Sequence, residues 1–349
     1  MTTDELFMTR AYTLALGGKF HAAPNPMVGA VIVHDGKIIG EGFHRRCGQA
    51  HAEVNAIASV KDQALLPQST LYVTLEPCSH YGKTPPCADL IIEKKIKRVV
   101  VGCTDPFEKV HGNGIKKLLE AGIDVTTGVL REKCEKLNAP FITFHTRKRP
   151  YITLKWAQSA DGFIGSDNNE RLSISTPFTQ MLVHRMRAYN SAIMVGSVTA
   201  KLDNPSLTTR LWPGKSPLRV VTDRHLKLPQ SLNLFDGTSP TLVFTTKKDC
   251  PEWKNVEFIT IDEKDYGIPA FLNVLYEKGC QTLLVEGGSR LLQSFIDAGT
   301  WDKAQIETRL SMLAGNGTPA PQLHDATLIA GKQCFGSEVR IFANGKSRI

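Results

Sequence analysis

A histidine and an acid two positions apart, His51 and Glu53, precede two cysteines, Cys78 and Cys87, each directly after a proline. One imidazole and two thiolates are three ligands for a zinc ion. Three protein ligands leave a fourth position for a water, whose pKa falls to roughly 7 on the metal. Glu53 then has the place of a proton carrier, taking the water's proton and passing it to a ring nitrogen and a departing amine. Such a set supports hydrolytic loss of ammonia from an amidine-like ring carbon. The alternative is a core histidine with buried thiols, or a structural zinc site with Cys47, four positions before His51, as fourth ligand. That alternative gives Glu53 no task.

A second feature is the pair Gly287-Gly288, between a β-patterned run and a helical one. Glycines let a phosphate approach the backbone, and the following helix start offers free N–H groups to a pyrophosphate. A tight strand-to-helix turn is the plainer reading.

The elements that must carry these residues follow from periodicity and punctuation. Thr2 and Glu5 have capping-box spacing, and Phe7, Ala11, Leu14 and Ala15 form a helical stripe ended by Gly17-Gly18. Residues 28–33 and 37–40 flank Asp35-Gly36, a two-residue hairpin turn. A helix is expected to start near His51. Strand at 71–75, helix at 87–95, strand at 99–102, helix at 115–121 and strand at 123–127 then alternate, as in a sheet covered on both faces. The basic cluster Arg147-Lys148-Arg149 before Pro150 marks a domain boundary, giving domains 1–146 and 147–349. In the second half 151–155, 192–195, 218–222, 242–245 and 282–286 read as strands between helical patterns, with Pro177 in a first helical turn. Both halves are α/β.

At 349 residues two ordinary domains are the natural expectation. The net charge of +8 would suit phosphorylated ligands or nucleic acid, but the basic residues are scattered over both halves. No apolar run approaches the roughly 20 residues of a membrane span, and the chain is expected to be cytoplasmic. There the eight cysteines are thiols or metal ligands rather than disulfides. Cys103, Cys134, Cys250 and Cys280 read as core thiols.

Spacing then narrows the chemistry. Zinc deaminases of nucleic-acid bases keep their cysteines close together, as P-C-x-x-C, whereas here residues 79–86 separate Cys78 from Cys87. With Pro24-Asn25-Pro26-Met27-Val28-Gly29-Ala30, Gly42-Phe43-His44, His51-Ala52-Glu53 and Leu75-Glu76-Pro77-Cys78 running on through His80 and Lys83 to Pro86-Cys87, the first half resembles the pyrimidine deaminases of riboflavin biosynthesis. The family's later D-P-N-P loop reads Asp105-Pro106-Phe107-Glu108 here. The resemblance implies a cytidine-deaminase-like α/β/α domain, with Asn25, His44, His80 and Lys83 around the substrate's ring and phosphate.

The second half resembles the reductase of the same pathway. The resemblance rests on Leu154-Lys155-Trp156-Ala157-Gln158-Ser159-Ala160-Asp161-Gly162, Val195-Gly196 with Thr199, the stretch Asp203-Asn204-Pro205-Ser206-Leu207-Thr208-Thr209-Arg210, and Val285-Glu286-Gly287-Gly288. It implies a dihydrofolate-reductase-like domain that uses NADPH. Hydride must reach C1 of the ribose in its opened imine form, and Lys155, Asp203 and Glu286 are placed there. Arg171, Arg187, Leu207, Arg210 and Glu286 are assigned to the substrate, with Arg187 and Arg210 suited to its phosphate by their charge. Ala157, Ser173, Ser175, Thr199, Asp203, Arg224, Gly288, Ser289, Arg290 and Leu291 are assigned to the cofactor.

The implied function is bifunctional: hydrolytic deamination of 2,5-diamino-6-ribosylamino-4(3H)-pyrimidinone 5′-phosphate, then NADPH-dependent reduction of its ribosyl to a ribityl chain. The implied partners are phosphorylated pyrimidines, with neither nucleic acid nor membrane, in a homo-oligomer, dimer or tetramer. The rivals are a nucleic-acid or nucleoside deaminase with an accessory domain, a zinc-stabilised binding module, and a chain with one degenerate half.

Overall fold

The computed structural model describes residues 1–81, 85–107, 112–166 and 172–346, and the chain forms two compact units, Met1–Arg147 and, in the main, Lys148–Arg348. Lys83 and Arg171 lie outside the described residues.

In the first unit α1 (Thr3–Ala15) starts at the expected capping box on Thr2 and Glu5. Strands β1 (Gly29–His34) and β2 (Lys37–Phe43) form the hairpin, whose turn residues Asp35 and Gly36 both have positive φ, as a primed two-residue turn requires. Then follow α2 (Ala52–Ser59), β3 (Thr70–Leu75), α3 (Cys87–Glu93), β4 (Arg98–Cys103), α4 (Asn113–Glu120), β5 (Asp124–Thr127), α5 (Arg131–Leu137) and α6 (Ala139–Arg147). The sheet order is β2-β1-β3-β4-β5, with β1 antiparallel to both neighbours and β3, β4 and β5 parallel.

Alternate residues feed opposite faces of this sheet. Ala30, Ile32, Val73 and Val101 pack with Ala52 and Ala56 of α2, Ile91 of α3 and Leu118 of α4. Val31, Val33, Tyr72 and Val100 meet Phe7, Met8 and Ala11 of α1 and Cys134 of α5. The result is the expected α/β/α layering. Gly42 lets α2 lie directly on β2: a Cβ there would stand 2.3 Å from the Ala56 nitrogen and 2.5 Å from the Ala52 oxygen.

The second unit runs β6 (Tyr151–Ser159), β7 (Phe163–Gly165), α7 (Pro177–Tyr189), β8 (Ala192–Gly196), α8 (Ser197–Asp203), β9 (Leu218–Thr222), β10 (Thr241–Thr245), β11 (Val256–Thr260), α9 (Ile268–Glu277), β12 (Thr282–Glu286), α10 (Ser289–Asp297), β13 (Lys303–Arg309), β14 (Thr318–Pro319), β15 (Ala326–Cys334) and β16 (Ser337–Asn344). Its main sheet has the order β11-β10-β9-β8-β12-β6-β13-β16-β15, and β7 pairs with β14 apart from it. The strands from β11 to β13 run parallel, and β16 and β15 add antiparallel pairs at one edge.

Two clusters cover this sheet. Leu154, Met194, Val220 and Phe244 meet Phe271 of α9 and Leu292 and Phe295 of α10, while Ile193, Val195, Val221 and Leu284 pack with Ala200 of α8, Leu234 and Phe235. Asp302, buried, receives both Nη groups of Arg149 at 2.6 and 2.9 Å and the Ile152 N–H at 2.8 Å, so the second unit is tied at the start of β6. Cys103, Cys134 and Cys280 are buried as read from the sequence. Cys250 is half-exposed on the loop after β10 and is no core thiol. No described helix is long and apolar enough to cross a membrane.

Candidate active sites

In the first unit the three expected metal ligands converge. His51 is the N-cap of α2 and Cys87 the first residue of α3, while Cys78 follows β3. The His51 Nδ1 lies 3.3 Å from Cys87 Sγ and 3.5 Å from Cys78 Sγ, and the three ligand atoms all fall within 4.8 Å of one another. A tetrahedral zinc ion with ordinary Zn–N and Zn–S bonds needs ligand separations of about 3.5 to 3.8 Å, so the donor set fits zinc. The hydrogen bonds from Cys87 and His51 hold the Cys78 thiol well below its usual range, while sharing with Cys78 and burial push Cys87 up. Cys47 is not part of the cluster, which removes the four-ligand structural alternative.

Glu53 sits in the first turn of α2, 3 % exposed, against the ligands. Burial, with the Cys78 charge acting in the same direction, pushes its carboxyl up to about 7. A group near that value both accepts and returns a proton at neutral pH.

Asn25 and His44 line up behind His51. The buried His44 faces the Ala50 carbonyl through Nδ1 (3.1 Å) and Asn25 Nδ2 through Nε2 (3.1 Å). Nδ1 must carry the hydrogen to meet a carbonyl, so Nε2 accepts from Asn25. Burial lowers the pKa of this ring, in keeping with a neutral tautomer. His44 also meets the His51 ring edge-on at 5.4 Å. His80 packs on Phe107 at 5.9 Å, and its buried Nδ1 has no hydrogen-bond partner among the described residues.

Two residues in this unit had no role in the sequence reading. Glu76, two positions before Cys78, accepts four backbone N–H groups: Asp105 (3.1 Å) and Gly112 (3.0 Å) on Oε2, Gly114 (2.9 Å) and Ile115 (3.3 Å) on Oε1. It thereby caps α4 and holds Asp105 and Gly112 to a side chain two residues from the ligand Cys78. Asn138 clamps the loop before β1, accepting from Met27 N (2.8 Å) and donating to Met27 O (2.9 Å).

In the second unit Lys155 lies on β6 with Glu286 of β12 in register on one side and Gln305 of β13 on the other. It is 9 % exposed, and burial lowers its pKa against the upward pull of Glu286 and Glu307. The Glu286 carboxylate takes a bidentate pair from Arg187 of α7, at 3.0 and 2.7 Å, and Arg187 Nη1 donates to the Thr208 carbonyl at 3.2 Å. Arg187, expected at the substrate phosphate, is here paired with Glu286, another residue of the expected substrate site. Arg210 keeps an exposed guanidinium with one bond to Thr208 Oγ1 (2.7 Å), while its backbone N–H donates to His184 Nδ1 (2.9 Å). His184, which the sequence reading missed, is held neutral, its pKa lowered to about 4 by burial and by Arg187 and Arg210. Its signal was only a polar residue on the apolar side of a helix.

Thr199 packs directly on the Gly287-Gly288 turn, where both glycines have positive φ (86° and 76°) and a Cβ on Gly288 would stand 3.0 Å from Thr199 Oγ1. Gly288 caps α10, and Leu291 lies across from Gly196. Ser289 gives its hydroxyl to the Pro319 carbonyl at 2.8 Å, and Arg290 is exposed. Asp203 ends α8, exposed, and Leu207 is buried with φ 53°, so only its main chain can face a ligand. Ser175 donates to the buried Glu307 at 2.7 Å, Ser173 is exposed, Ala157 is half-buried on β6, and Arg224 follows β9.

Together these features define a two-part enzyme, a zinc deaminase site on an α/β/α layer and a reductase fold with a glycine turn beside a buried lysine–carboxylate–arginine group. Comparison with known proteins agrees with both parts. The model of the cytidine and deoxycytidylate deaminase zinc-binding region matches residues 1–103, and that of the RibD C-terminal domain matches residues 150–327.

The riboflavin biosynthesis protein RibD of Bacillus amyloliquefaciens is 41% identical over 328 residues, covering 92% of this chain and 87% of its own, and that of Aquifex aeolicus (strain VF5) is 40% identical over 309 residues, covering 87% and 86%. The Thermotoga maritima structure described as a diaminohydroxyphosphoribosylaminopyrimidine deaminase/5-amino-6-(5-phosphoribosylamino)uracil reductase superposes with a TM-score of 0.88 at 37% identity, over 98% of this chain and 99% of that one. Acinetobacter baumannii RibD, form 1, superposes with a TM-score of 0.85 at 30% identity, over 98% of each. The chain belongs to the RibD family of bifunctional riboflavin biosynthesis enzymes, with a zinc-binding deaminase domain and a dihydrofolate-reductase-like, NADPH-using reductase domain.

Proposed function

We propose that residues 1–146 deaminate 2,5-diamino-6-ribosylamino-4(3H)-pyrimidinone 5′-phosphate, and that residues 147–349 reduce the ribosyl group of the product to give 5-amino-6-ribitylamino-uracil 5′-phosphate. The observation that carries the first half is a buried Glu53 against a three-ligand zinc site. Bound zinc supplies Lewis acidity and a water of lowered pKa. Glu53 would carry one proton of the water to the ring nitrogen and the second, from the added hydroxyl, to the departing amine, so that water enters and ammonia leaves. Asn25 and His44 orient the ring. His80 offers its buried Nδ1 and Lys83 its charge to the rest of the substrate.

For the second half, bound NADPH supplies the hydride that reaches C1 of the opened imine. Lys155 is the cation beside the nitrogen, Glu286 keeps that lysine charged, and Arg187 fixes Glu286. Asp203, Thr199, Ala157, Ser173, Ser175, Arg224 and the turn from Gly288 through Ser289, Arg290 and Leu291 face the cofactor. Arg187 and Arg210 serve the substrate phosphate, and Arg171, Leu207 and Glu286 belong to the same substrate site. A homo-oligomer belongs to the same reading, with β15 as an open sheet edge carrying Leu328 and Ile329, both more than half exposed. A cytoplasmic location is supported by eight reduced cysteines, two of them metal ligands.

Glu53→Gln tests the first assignment. The variant should keep one zinc per chain by metal analysis, lose deaminase turnover by about 10²-fold or more, and keep reductase activity on deaminated substrate. Full deaminase activity in the variant would remove Glu53 from the mechanism.

A further inference from the structure

Residues 208–211, between α8 and β9, carry Arg210, and α7 carries Arg187. Two such charges can act on one phosphate only where helix and segment are held together. Both guanidinium groups touch Thr208, Arg187 Nη1 donating to its carbonyl at 3.2 Å and Arg210 Nη1 to its hydroxyl at 2.7 Å. Thr209 ties the segment to the residues that follow it, its N–H donating to Ser216 Oγ at 3.0 Å and its hydroxyl to the Lys215 carbonyl at 3.3 Å.

His184 joins the same segment to α7. It stands three positions before Arg187, on the same side of the helix, and is 6 % exposed. Its Nδ1 accepts the N–H groups of Arg210 at 2.9 Å and Leu211 at 3.3 Å, so the ring hydrogen belongs on Nε2. Burial, then the charges of Arg187 and Arg210, keep the ring neutral and this lone pair open at neutral pH.

A neutral acceptor suits the place. A carboxylate could accept the same two N–H groups, but its charge would draw the exposed Arg210 guanidinium onto itself and away from a phosphate. A cationic side chain could not accept at all and would repel both arginines.

We propose that His184 is a positioning residue of the reductase: as an uncharged acceptor it fixes the main chain at Arg210 and Leu211 against α7, so that Arg210 stands beside Arg187 with its charge free for the substrate phosphate. The proposal rests on the reading of this unit as a reductase of a phosphorylated substrate with Arg210 at the phosphate.

The test measures reductase kcat and KM in zinc-loaded full-length protein with NADPH, on the deaminated substrate and on the same compound without its 5′-phosphate. His184→Leu leaves both N–H groups without an acceptor; it should raise KM for the phosphorylated substrate about tenfold, hold kcat within about twofold, and spare the phosphate-free compound. His184→Asn, whose Oδ1 can take the place of Nδ1, should recover most of that loss. His184→Asp keeps the acceptor and adds a charge, and should again raise KM for the phosphorylated substrate alone. In an Arg210→Met background His184→Leu should add little, because the group it positions is gone. An unchanged KM in His184→Leu, an equal loss on both compounds, or Asn and Asp variants that behave alike would overturn the proposal, and the last comparison holds even where the leucine variant does not fold. If Arg210→Met raises KM and these effects are missing, the failure is at His184 alone. An Arg210→Met protein with unchanged KM for the phosphorylated substrate would instead sink the phosphate assignment, and the proposal with it.

Discussion

Glu53 and Lys155 are both ionisable groups taken out of water, and burial moves each toward its neutral form. For Lys155 the charged form survives because Glu286 and Glu307 oppose desolvation. Its protonated fraction is lost as pH rises through a pKa below the ordinary lysine value. Reductase kcat/KM should therefore fall on the alkaline side at a lower pH than a free lysine would give. In Lys155→Arg, which does not titrate there, that limb should vanish from whatever activity is left. An unchanged pH profile would take Lys155 out of the chemistry. At this scale the sequence was most legible where function fixes spacing, as in His51-x-Glu53 and the two Pro-Cys pairs. Glu76 was silent because its partners are backbone N–H groups 29 to 39 positions away, which no side-chain pattern announces. The Arg187 pairing was hidden likewise, since Glu286 stands 99 positions on.

Among the elements, Asp105 after β4 and the start of α4 are both held by the Glu76 carboxylate, and the ligand Cys78 sits two residues away. Glu76→Gln keeps the shape but removes the charge and turns one acceptor into a donor, which then faces N–H groups. We expect it to lower the stability of the first unit by about 2 to 3 kcal/mol and to weaken zinc retention in competition with a chelator. Wild-type zinc affinity together with wild-type stability would show that the four bonds do not position Cys78. Strands buried on one or both faces, such as β3, β4, β9 and β12, were readable from their apolar runs. The C-terminal β13, β15 and β16 were not divided from the sequence. In β15 nearly every side chain is exposed, so burial imposes no alternation on it. The two compact units part in sequence between Arg147 and Lys148, with α6 running on to Arg147, and α5 and α6 were too short to stand out.

For the whole molecule, each unit has its own sheet and its own clusters of buried side chains, and among the described residues the zinc ligands lie in the first. Metal bound to the native state alone stabilises what it binds. Stripping zinc with a chelator should therefore lower the melting transition of the first unit and leave that of the second in place, as followed by calorimetry. A single transition that moves as one would show that the units do not unfold separately.

The most direct measurement gives the zinc-loaded protein 2,5-diamino-6-ribosylamino-4(3H)-pyrimidinone 5′-phosphate, follows ammonia release without NADPH, and then follows NADPH oxidation after its addition. Ammonia first and NADPH oxidation second is the expected result. Ammonia without NADPH oxidation would contradict the assignment of the second unit, and neither signal from protein with zinc in place would contradict the bifunctional reading itself.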